Sequence, residues 1–454
     1  MSVAVLDVGK TRVKLDIVNA EGAVLEVRST VNTVLPADAR APWAQHDLAG
    51  LEDWILTTLA RLARRHEIEA IVPTAHGSGG VLIGPDGPWP MIDYEQPVPE
   101  EIDAEYRALI PPQAGPVMLG AAHTARQLLW MQRARPEAFA RATCFLHLPQ
   151  YWAWRLCGVT ASEVTSLAAQ SHLWNVARGT WYDFVEERGW DRLMPKLRRA
   201  WEVLGPLKPG LVGELECPVL CGLHDSTASF LRYRQAGLDR YTTLSTGTWM
   251  VAISNAVGPE VIDFTRGMTC NADPVGAPLP CVLAMAGREY EAIAGPADGS
   301  RADPQIIARL IARGTVAVPF FGADDGLFPG RARRGAILGP PPEGAEEARA
   351  LGTLSSAMLA DACLDALQAS GRVLIDGPLA QEPAFAGLLA ALRPDCTIRV
   401  NTGLAGVAAG AALLWGQTRR HATVPVAFGA AGRLALAGLA DYRAAWLRHA
   451  REET

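Results

Sequence analysis

An acidic residue at position 225 stands where a catalytic base could act. The apolar run 218–222 is followed within three residues by His224 and Asp225, and residues 226–233 have a helical pattern. A carboxylate at the end of a buried strand can take the proton of a hydroxyl group and keep that oxygen aimed at an electrophile. The same position also suits an ordinary helix N-cap, so the local pattern leaves both interpretations open.

A polar turn near the start of the sequence could contact a phosphate. The sequence there reads Asp-Val-Gly-Lys-Thr-Arg-Val-Lys from Asp7 onward. Gly9 permits close approach of the backbone to a ligand, and polar donors come from Lys10, Thr11 and Lys14. Asp7 could hold Mg²⁺ through water, because Mg²⁺ keeps several waters and takes one or two carboxylates. The competing interpretation is a tight hairpin turn with a solvated lysine.

The same segment ends like a P-loop but does not begin like one. Gly9, Lys10 and Thr11 match the end of the G-x-x-x-x-G-K-[ST] pattern, whereas Ala4 occupies the place of its first glycine. A P-loop also runs into a helix, and residues 12–19 alternate apolar and polar side chains as a strand does. We therefore reject the P-loop interpretation.

A second turn, rich in hydroxyl groups, lies near the middle of the chain. Ser245, Thr246 and Thr248 surround Gly247, and the turn begins 238 residues after Asp7. Its hydroxyl and backbone donors could cradle an anion, although an ordinary hairpin turn would look the same. Both turns lie between strand-like runs, and a nucleotide held by the two turns would explain their matching positions.

A zinc site is a further possibility at residues 217–224. Cys217, Cys221 and His224 are close in sequence, but the stretch between the cysteines is strand-like and no fourth ligand is nearby. Their spacing also fits zinc-binding patterns poorly. We therefore expect these thiols to be reduced and without metal.

The elements that must position these residues follow an α/β pattern. The predicted elements of the first half are strands at 2–6, 12–19, 23–31, 70–73 and 218–222 and a helix at 51–65. The strand, turn and strand pattern then returns at 241–254, which predicts two similar α/β domains, 1–237 and 238–454. Residues 120–200 are predicted to be mostly helical, and the Gly- and Pro-rich stretch 322–344 to be a long loop.

Bulk composition argues against some classes of partner. The 454 residues carry a net charge of -6, with 49% hydrophobic and 20% charged residues, which is ordinary for a soluble globular protein. Without a basic stripe we expect no nucleic acid partner, and without an apolar run of ~18 residues we expect no membrane partner. The first residues lack a signal-peptide pattern, so we expect a cytoplasmic protein.

Together, the order and spacing of these segments resemble the FGGY carbohydrate kinases of the actin-like, ribonuclease H-like ATPase superfamily. The segments that carry the resemblance are 7–14, 128–130, 135–139, 148–151, 155–158, 163–181, 222–225, 245–248 and 406–414. The resemblance implies an α/β fold of two ribonuclease H-like (actin-like ATPase) domains with a central interdomain cleft. It also implies ATP and Mg²⁺ in that cleft, with the sugar bound mainly by the first domain.

The resemblance assigns a role to each candidate residue. It implies that Asp225 is the catalytic base and that Asp7 holds Mg²⁺ through water. The residues implied for the nucleotide and its phosphates are Asp7, Gly9, Lys10, Thr11, Lys14, Ser245, Thr246, Gly247, Thr248 and Gly377. The residues implied for the sugar are His76, Ser78, Asp93, Tyr94, Glu95, His224 and Asp225.

Two loops depart from the family pattern. The family's double or triple glycine followed by alanine is replaced here by Asp376, Gly377 and Pro378, and a proline offers no amide donor. The family's sugar loop often reads Gln-Met-His-Gly, whereas this chain reads Thr-Ala-His-Gly-Ser-Gly-Gly, so that either His76 or Ser78 takes the place of the histidine. These departures argue against common substrates such as D-xylulose and glycerol.

We therefore predict an ATP-dependent carbohydrate kinase with a ketose or deoxyketose substrate of the L-fuculose or L-rhamnulose kind, or a polyol. An actin-like ATPase, another phosphotransferase and an inactive sugar-binding regulator are the alternatives that stay open. The expected partners are the sugar and ATP, and we allow for a homodimer.

Overall fold

The computed structural model describes residues 2–39, 41–296, 299–324, 326–403, 406–417 and 426–451. In this part of the chain the strands are β1 (Ser2–Val8), β2 (Arg12–Asn19), β3 (Val24–Val31), β4 (Val34–Leu35), β5 (Gln45–His46), β6 (Ile68–Ala75), β7 (Gly80–Gly84), β8 (Gly87–Pro88), β9 (Cys144–His147), β10 (Trp174–Asn175), β11 (Thr180–Trp181), β12 (Val203–Pro206), β13 (Pro218–Leu220), β14 (Leu223–His224), β15 (Thr242–Thr246), β16 (Met250–Ser254), β17 (Met268–Ala272), β18 (Pro278–Ala284), β19 (Val316–Val318), β20 (Ala336–Leu338), β21 (Gly371–Asp376), β22 (Cys396–Asn401) and β23 (Phe428–Ala430). The helices are α1 (Leu48–Ala63), α2 (Glu100–Leu109), α3 (Thr124–Ala134), α4 (Pro136–Ala140), α5 (Leu148–Cys157), α6 (Val164–Ala168), α7 (Asp183–Glu187), α8 (Asp225–Gln235), α9 (Ala286–Ala294), α10 (Pro304–Arg313), α11 (Gly344–Ala366), α12 (Pro383–Leu392), α13 (Gly406–Gln417) and α14 (Leu439–Arg451). Among the described helices, none combines the length and the apolar character needed to span a membrane. The alternation of strands and helices confirms the α/β class.

The chain divides into two compact units. The first comprises Met1–Gly237, Asn271–Pro278 and Ala405–Pro425, and the second comprises Leu238–Cys270, Leu279–Leu404 and Val426–Thr454. The first unit's long stretch ends at the predicted boundary. Two later segments that the prediction assigned to the second domain group with the first unit instead. Helix α13, in one of them, packs onto the first unit's sheet, and Asp273 and Val275, in the other, accept hydrogen bonds from Arg234 and Arg199.

The sheet of the first unit has strand order β12-β13-β6-β1-β2-β3, and β14 also pairs with β6. Strand β1 is antiparallel to β2 and parallel to β6, which places it near the centre of the sheet. Its side chains alternate between two faces: Ala4, Leu6 and Val8 pack with α1 and α5, whereas Val3 and Val5 pack with α8 and α13. Burial of a large aliphatic side chain stabilises a fold by roughly 1.5–3 kcal/mol, so the end of β1 is firmly held.

Helix α1 follows the apolar spacing seen in the sequence. It begins after Asp47, whose side chain accepts a hydrogen bond from the Gly50 amide as an N-cap does. Leu51, Ile55 and Leu59 are among its buried residues and lie on one face. The predicted helix at 51–65 is therefore present, three residues earlier at its start and two at its end.

The sheet of the second unit repeats the arrangement of the first. Strand β15 is antiparallel to β16 and parallel to β21, and β21 is parallel to β22. The order β18-β16-β15-β21-β22 thus corresponds to β3-β2-β1-β6-β13 in the first unit. The two polar turns of the sequence lie at the same place in each sheet, between its first and second strands.

Two regions differ in detail from the prediction. The stretch 120–200 contains helices α3 to α7, as predicted, but strands β9, β10 and β11 lie between them. The stretch 322–344 is mostly loop but contains β20, which pairs with β19. Both strand pairs are too short for their periodicity to stand out in the sequence.

Candidate active site

The first turn closes between β1 and β2 and places Asp7 opposite Lys14. The Gly9 amide donates to the carbonyl oxygen of Arg12 at 3.0 Å, and Lys14 Nζ lies 3.5 Å from Asp7 Oδ2. Burial raises the pKa of Asp7 to about 6; Lys14 opposes this rise and the charge of Asp225 adds to it. A buried carboxylate with a second carboxylate nearby favours a bound cation.

Asp225 lies at the same end of the sheet as Asp7. Strand β6 runs between β1 and β14, with Thr74 facing Asp7 on one side and Leu223 on the other. Gly222, just before β14, has a φ of 78°, and a Cβ there would lie 2.1 Å from the Pro73 carbonyl oxygen. Only glycine permits this close approach of the two backbones, which brings the start of α8 next to the end of β1.

The Asp225 side chain is held by its own helix. Its Oδ1 accepts from the Ser226 amide at 2.5 Å and from the Ser226 hydroxyl at 3.2 Å, and His224 Nε2 lies 3.2 Å away. His224 occupies the N-cap position, and Asp225 is the first residue of the helix. The N-cap interpretation of Asp225 is therefore wrong in detail. The hydrogen bonds that the described residues make to Asp225 go to Oδ1, so Oδ2 can accept from a substrate.

A buried glutamate that the sequence reasoning left without a role supports His224. Glu163 Oε2 accepts from the Thr165 hydroxyl at 2.6 Å, and the Thr165 hydroxyl accepts in turn from the His224 amide at 3.0 Å. Burial raises the pKa of Glu163 to about 7. The Glu-x-Thr-Ser pattern before a short helix is the sequence signal that could have identified this contact, because an acidic residue before a helix often caps it.

The loop after β6 places His76 beside Tyr94. The two rings lie 5.3 Å apart between centroids, and both ring nitrogens of His76 are buried without a hydrogen-bond partner among the described residues. Burial is the main cause, and electrostatic contributions from His46 and Lys10 add to it; together they lower the pKa of His76 to about 3. His76 is therefore neutral, with one donor and one acceptor nitrogen for a polar ligand.

Ser78 and the segment 93–95 complete this loop region. The Ser78 carbonyl oxygen accepts from Gln127 Nε2 at 2.8 Å, and this contact anchors the loop to α3. Asp93 forms an ion pair with Lys10 and accepts weakly from the Glu95 amide at 3.4 Å. Burial would raise the pKa of Asp93, but its contacts with His46 and Lys10 outweigh burial and hold this pKa far below its usual range.

The second turn is built from neutral groups. Ser245 and Thr246 were predicted in the turn but lie in β15, so the turn itself consists of residues 247–249. The Thr246 hydroxyl donates to the Asp376 carbonyl oxygen at 2.7 Å and accepts from the Leu379 amide at 3.1 Å. The Thr248 carbonyl oxygen accepts from the Gly287 amide at 3.2 Å.

Gly377 lies directly against this turn. It has a φ of 89°, and a Cβ at this position would lie 1.8 Å from the Thr246 carbonyl oxygen. The positive φ and the lack of space therefore both exclude a side chain at this position. Of the residues predicted for the nucleotide, the structure brings together Thr246 and Gly377 in the second unit, and Asp7, Gly9 and Lys14 in the first.

The cysteines are free thiols. Cys217 and Cys221 are buried, and burial raises the pKa of both. Within the described ranges, no three His, Cys, Asp or Glu side chains form a group that could hold a metal ion. A metal bound by Asp7 would accordingly take most of its ligands from water and substrate.

Two protein-family models match this chain, each over a different part of it. The model described as "FGGY family of carbohydrate kinases, N-terminal domain" matches residues 107–231, and "Carbohydrate kinase FGGY, C-terminal domain" matches residues 239–423. The L-fuculokinase of Escherichia coli (strain K12) is 25% identical over 291 residues, which cover 60% of each protein. The chain thus spans about 60% of the length of this curated relative.

Solved structures match over nearly the whole chain. A carbohydrate kinase from Novosphingobium aromaticivorans has a TM-score of 0.85 and 29% identity, with 99% of this chain and 98% of that chain covered. A ligand-bound xylulose kinase from Lactobacillus acidophilus has a TM-score of 0.79 at 16% identity, with 99% and 96% covered, which shows the shared fold. On the two family models and this likeness, the chain belongs to the FGGY family of carbohydrate kinases.

Proposed function

We propose that this protein is an ATP-dependent carbohydrate kinase that transfers the γ-phosphoryl group to a hydroxyl of a sugar. The observation that carries the proposal is the placement of Asp7 and Asp225 on either side of the end of β6, beside the His76 loop. Phosphoryl transfer needs mostly positioning and charge neutralisation, and this end of the sheet offers both a metal-favouring carboxylate and a base.

Asp225 is proposed as the general base. Its Oδ1 is held by Ser226 and His224, so the carboxylate has a fixed direction and Oδ2 can accept the proton of the sugar hydroxyl. His224 is kept neutral, because burial lowers its pKa while the charge of Asp225 opposes this. A neutral His224 can donate a hydrogen bond to Asp225 through Nε2. It does not take the proton that Asp225 is proposed to accept from the sugar.

Asp7 is proposed as the residue that faces Mg²⁺, through water. Its burial and its raised pKa fit a cation site, because a positive ion would relieve the cost of ionising this carboxyl group. When bound, Mg²⁺ would neutralise charge on the phosphates. In the second unit, the proposed nucleotide contacts are the residues of the second turn and Gly377, which offer backbone amides and hydroxyls.

The proposed substrate is a neutral ketose, deoxyketose or polyol, and the L-fuculose kind is favoured. The support is the similarity to an L-fuculokinase and the chemistry of three proposed sugar contacts: neutral His76, the Tyr94 beside it and Asp225. These side chains suit hydroxyl groups and disfavour a sugar acid, whose negative charge would meet that of Asp225.

A coupled assay of ADP release tests this function. The panel contains L-fuculose, L-rhamnulose, D-xylulose, glycerol and D-gluconate, each with ATP and Mg²⁺. We expect ADP release that depends on a neutral sugar. Release of ADP without any sugar would indicate an ATPase, and sugar binding without ADP release would indicate an inactive regulator; either result would remove the proposed function.

A further inference from the structure

Four polar side chains join the first turn to the segment 93–95. We call Lys10, Asn32, His46 and Asp93 the polar ring. Asn32 Nδ2 donates to the Gly9 carbonyl oxygen at 2.9 Å, and Asn32 Oδ1 lies 3.0 Å from His46 Nδ1. His46 Nε2 lies 3.7 Å from Asp93 Oδ1. Asp93 forms an ion pair with Lys10, which follows Gly9 in the chain, so two hydrogen bonds, one ion pair and the longer His46–Asp93 contact complete the ring.

The direction of each contact follows from the Gly9 carbonyl. A carbonyl oxygen only accepts, so the Asn32 amide must turn its NH₂ group toward Gly9 and its oxygen toward His46. His46 therefore donates from Nδ1 to Asn32, whereas its Nε2 lies near Asp93 Oδ1 without a hydrogen bond among the described residues. His46 is 3% exposed and Asn32 5% exposed, so water competes little with these contacts.

The polar ring changes the interpretation of Lys10. The sequence predicted Lys10 as a phosphate contact, but its ammonium group is engaged by Asp93 and lies 5.5 Å from the centre of the Tyr94 ring. Asp93 is likewise directed at Lys10 and His46. This ion pair therefore links the first turn to the segment 93–95, which was predicted to face the sugar.

We propose that the polar ring positions the first turn relative to the segment 93–95, and so couples sugar binding to nucleotide binding. Lys10, Asn32, His46 and Asp93 are positioning residues in this proposal, which rests on the proposed kinase function. A sugar that packs against Tyr94 and Glu95 restrains Asp93. Through Lys10 and through His46 and Asn32, the same restraint reaches the backbone on both sides of Gly9, in the turn that is proposed to contact the phosphates.

A double-mutant cycle separates this role from direct phosphate contact. Lys10→Met and Asp93→Asn are each expected to raise the KM for sugar and the KM for ATP together, by about 10-fold. The double variant should be no worse than the poorer single variant, because both changes break one contact. If Lys10 instead contacts the phosphates, Lys10→Met will raise only the KM for ATP, and its effect will add to that of Asp93→Asn; that result would overturn the proposal.

A variant of Asn32, which contacts the turn through the Gly9 carbonyl oxygen, gives a second test. Asn32→Asp keeps the shape of the side chain but places a carboxylate oxygen against the Gly9 carbonyl oxygen, so it should loosen the turn. In the wild type, saturating sugar should lower the KM for ATP, and Asn32→Asp should abolish that effect. The matched control is Asn255→Asp, since Asn255 also donates to a backbone carbonyl, that of Asp239, and accepts from a backbone amide, that of Tyr241. The proposal is wrong if both variants keep the effect.

Amide hydrogen exchange tests whether the polar ring holds the first turn, and it does not depend on enzyme activity. The Gly9 amide is hydrogen-bonded to Arg12, and exchange at residues 9–12 should accelerate about 10-fold or more in Asn32→Asp but not in Asn255→Asp. If the wild type shows no sugar-dependent ADP release, the proposed function has failed, and the exchange result still decides whether the polar ring holds the turn. Unchanged exchange in Asn32→Asp would show that it does not.

Discussion

The two turns share one architecture and differ in their chemistry. Each joins the first two strands of a sheet in which the next strand is parallel. The first turn carries charged side chains that contact one another and the segment 93–95, whereas the second is tied by the Thr246 hydroxyl to the backbone of β21 and the residues after it. A repeated fold thus supplies two similar turns, and the charged side chains are concentrated at the first of them.

The sharpest way to test this division is to remove the proposed base. Asp225→Asn should lower kcat by about 10³-fold while the affinity for ATP changes little, since general-base catalysis typically contributes 10²–10⁴-fold. Single-turnover kinetics and ADP binding measure the two effects. The control is Ser226→Ala, which removes only the 3.2 Å contact from the hydroxyl to Asp225 and should cost far less. Near-normal turnover in Asp225→Asn would remove the base assignment.

The proposed metal residue should give the next largest effect. Asp7→Asn should lower activity by about 10–100-fold and raise the Mg²⁺ concentration needed for half-maximal activity, as is typical when a group that orients a metal's ligands is lost. A Mg²⁺ titration of the initial rate measures this. Asp263→Asn is the matched control, because that exposed carboxylate of the second unit accepts from Thr265 in its own turn. Equal Mg²⁺ dependence in the two variants would contradict the role of Asp7.

In the second unit, where the turn has no charged side chains, we expect the largest loss from a substitution that strains the backbone. Gly377→Ala should lower the free energy of unfolding by about 3 kcal/mol, because its φ of 89° and the contact with Thr246 both exclude a Cβ. Gly247→Ala is the control, since a Cβ there meets only the Trp249 carbonyl oxygen at 3.8 Å. Thermal unfolding and ADP binding distinguish them: Gly247→Ala should fold normally and bind ADP more weakly. Equal stability of the two variants would mean that the loop is not held as described.

The smallest predicted effect concerns the buried carboxyl group that supports His224. The pKa of Glu163 is raised to about 7, so the fold favours its protonated form. The stability that this contributes is fully present below pH 4.5 and is lost as pH rises through 7. Between pH 5 and 8 the wild type should lose about 2 kcal/mol of unfolding free energy relative to Glu163→Gln. Urea unfolding at several pH values measures this, with the exposed Glu186→Gln as control; parallel curves for the wild type and Glu163→Gln would refute the assignment.

The strands and turns of the two sheets could be predicted because their signals are local. Alternating side chains identify β2, the spacing of Leu51, Ile55 and Leu59 identifies α1, and a glycine between polar residues marks each turn. The repeat of the turn after about half of the chain predicted two similar sheets. The sequence could not assign α13 to the first unit, because its small apolar residues suit any buried helix.

The site was predictable where its residues are neighbours in sequence and not where they meet across the fold. The Asp7–Lys14 contact follows from hairpin register, but Lys10 and Asp93 are 83 residues apart, and nothing local pairs them. His46 and Asn32 carried no motif at all. Glu163 stood in a recognisable segment, yet its contact with His224 through Thr165 depends on where β14 ends.

The placement of α13 has a consequence for how the protein is made. This helix, from near residue 406 to residue 417, covers Val3, Val5 and Leu220 on one face of the first sheet. A ribosome therefore releases the opening strands several hundred residues before their last covering element. A fragment that stops at residue 237 would expose that apolar face, and we expect such a truncation product to aggregate or to recruit chaperones.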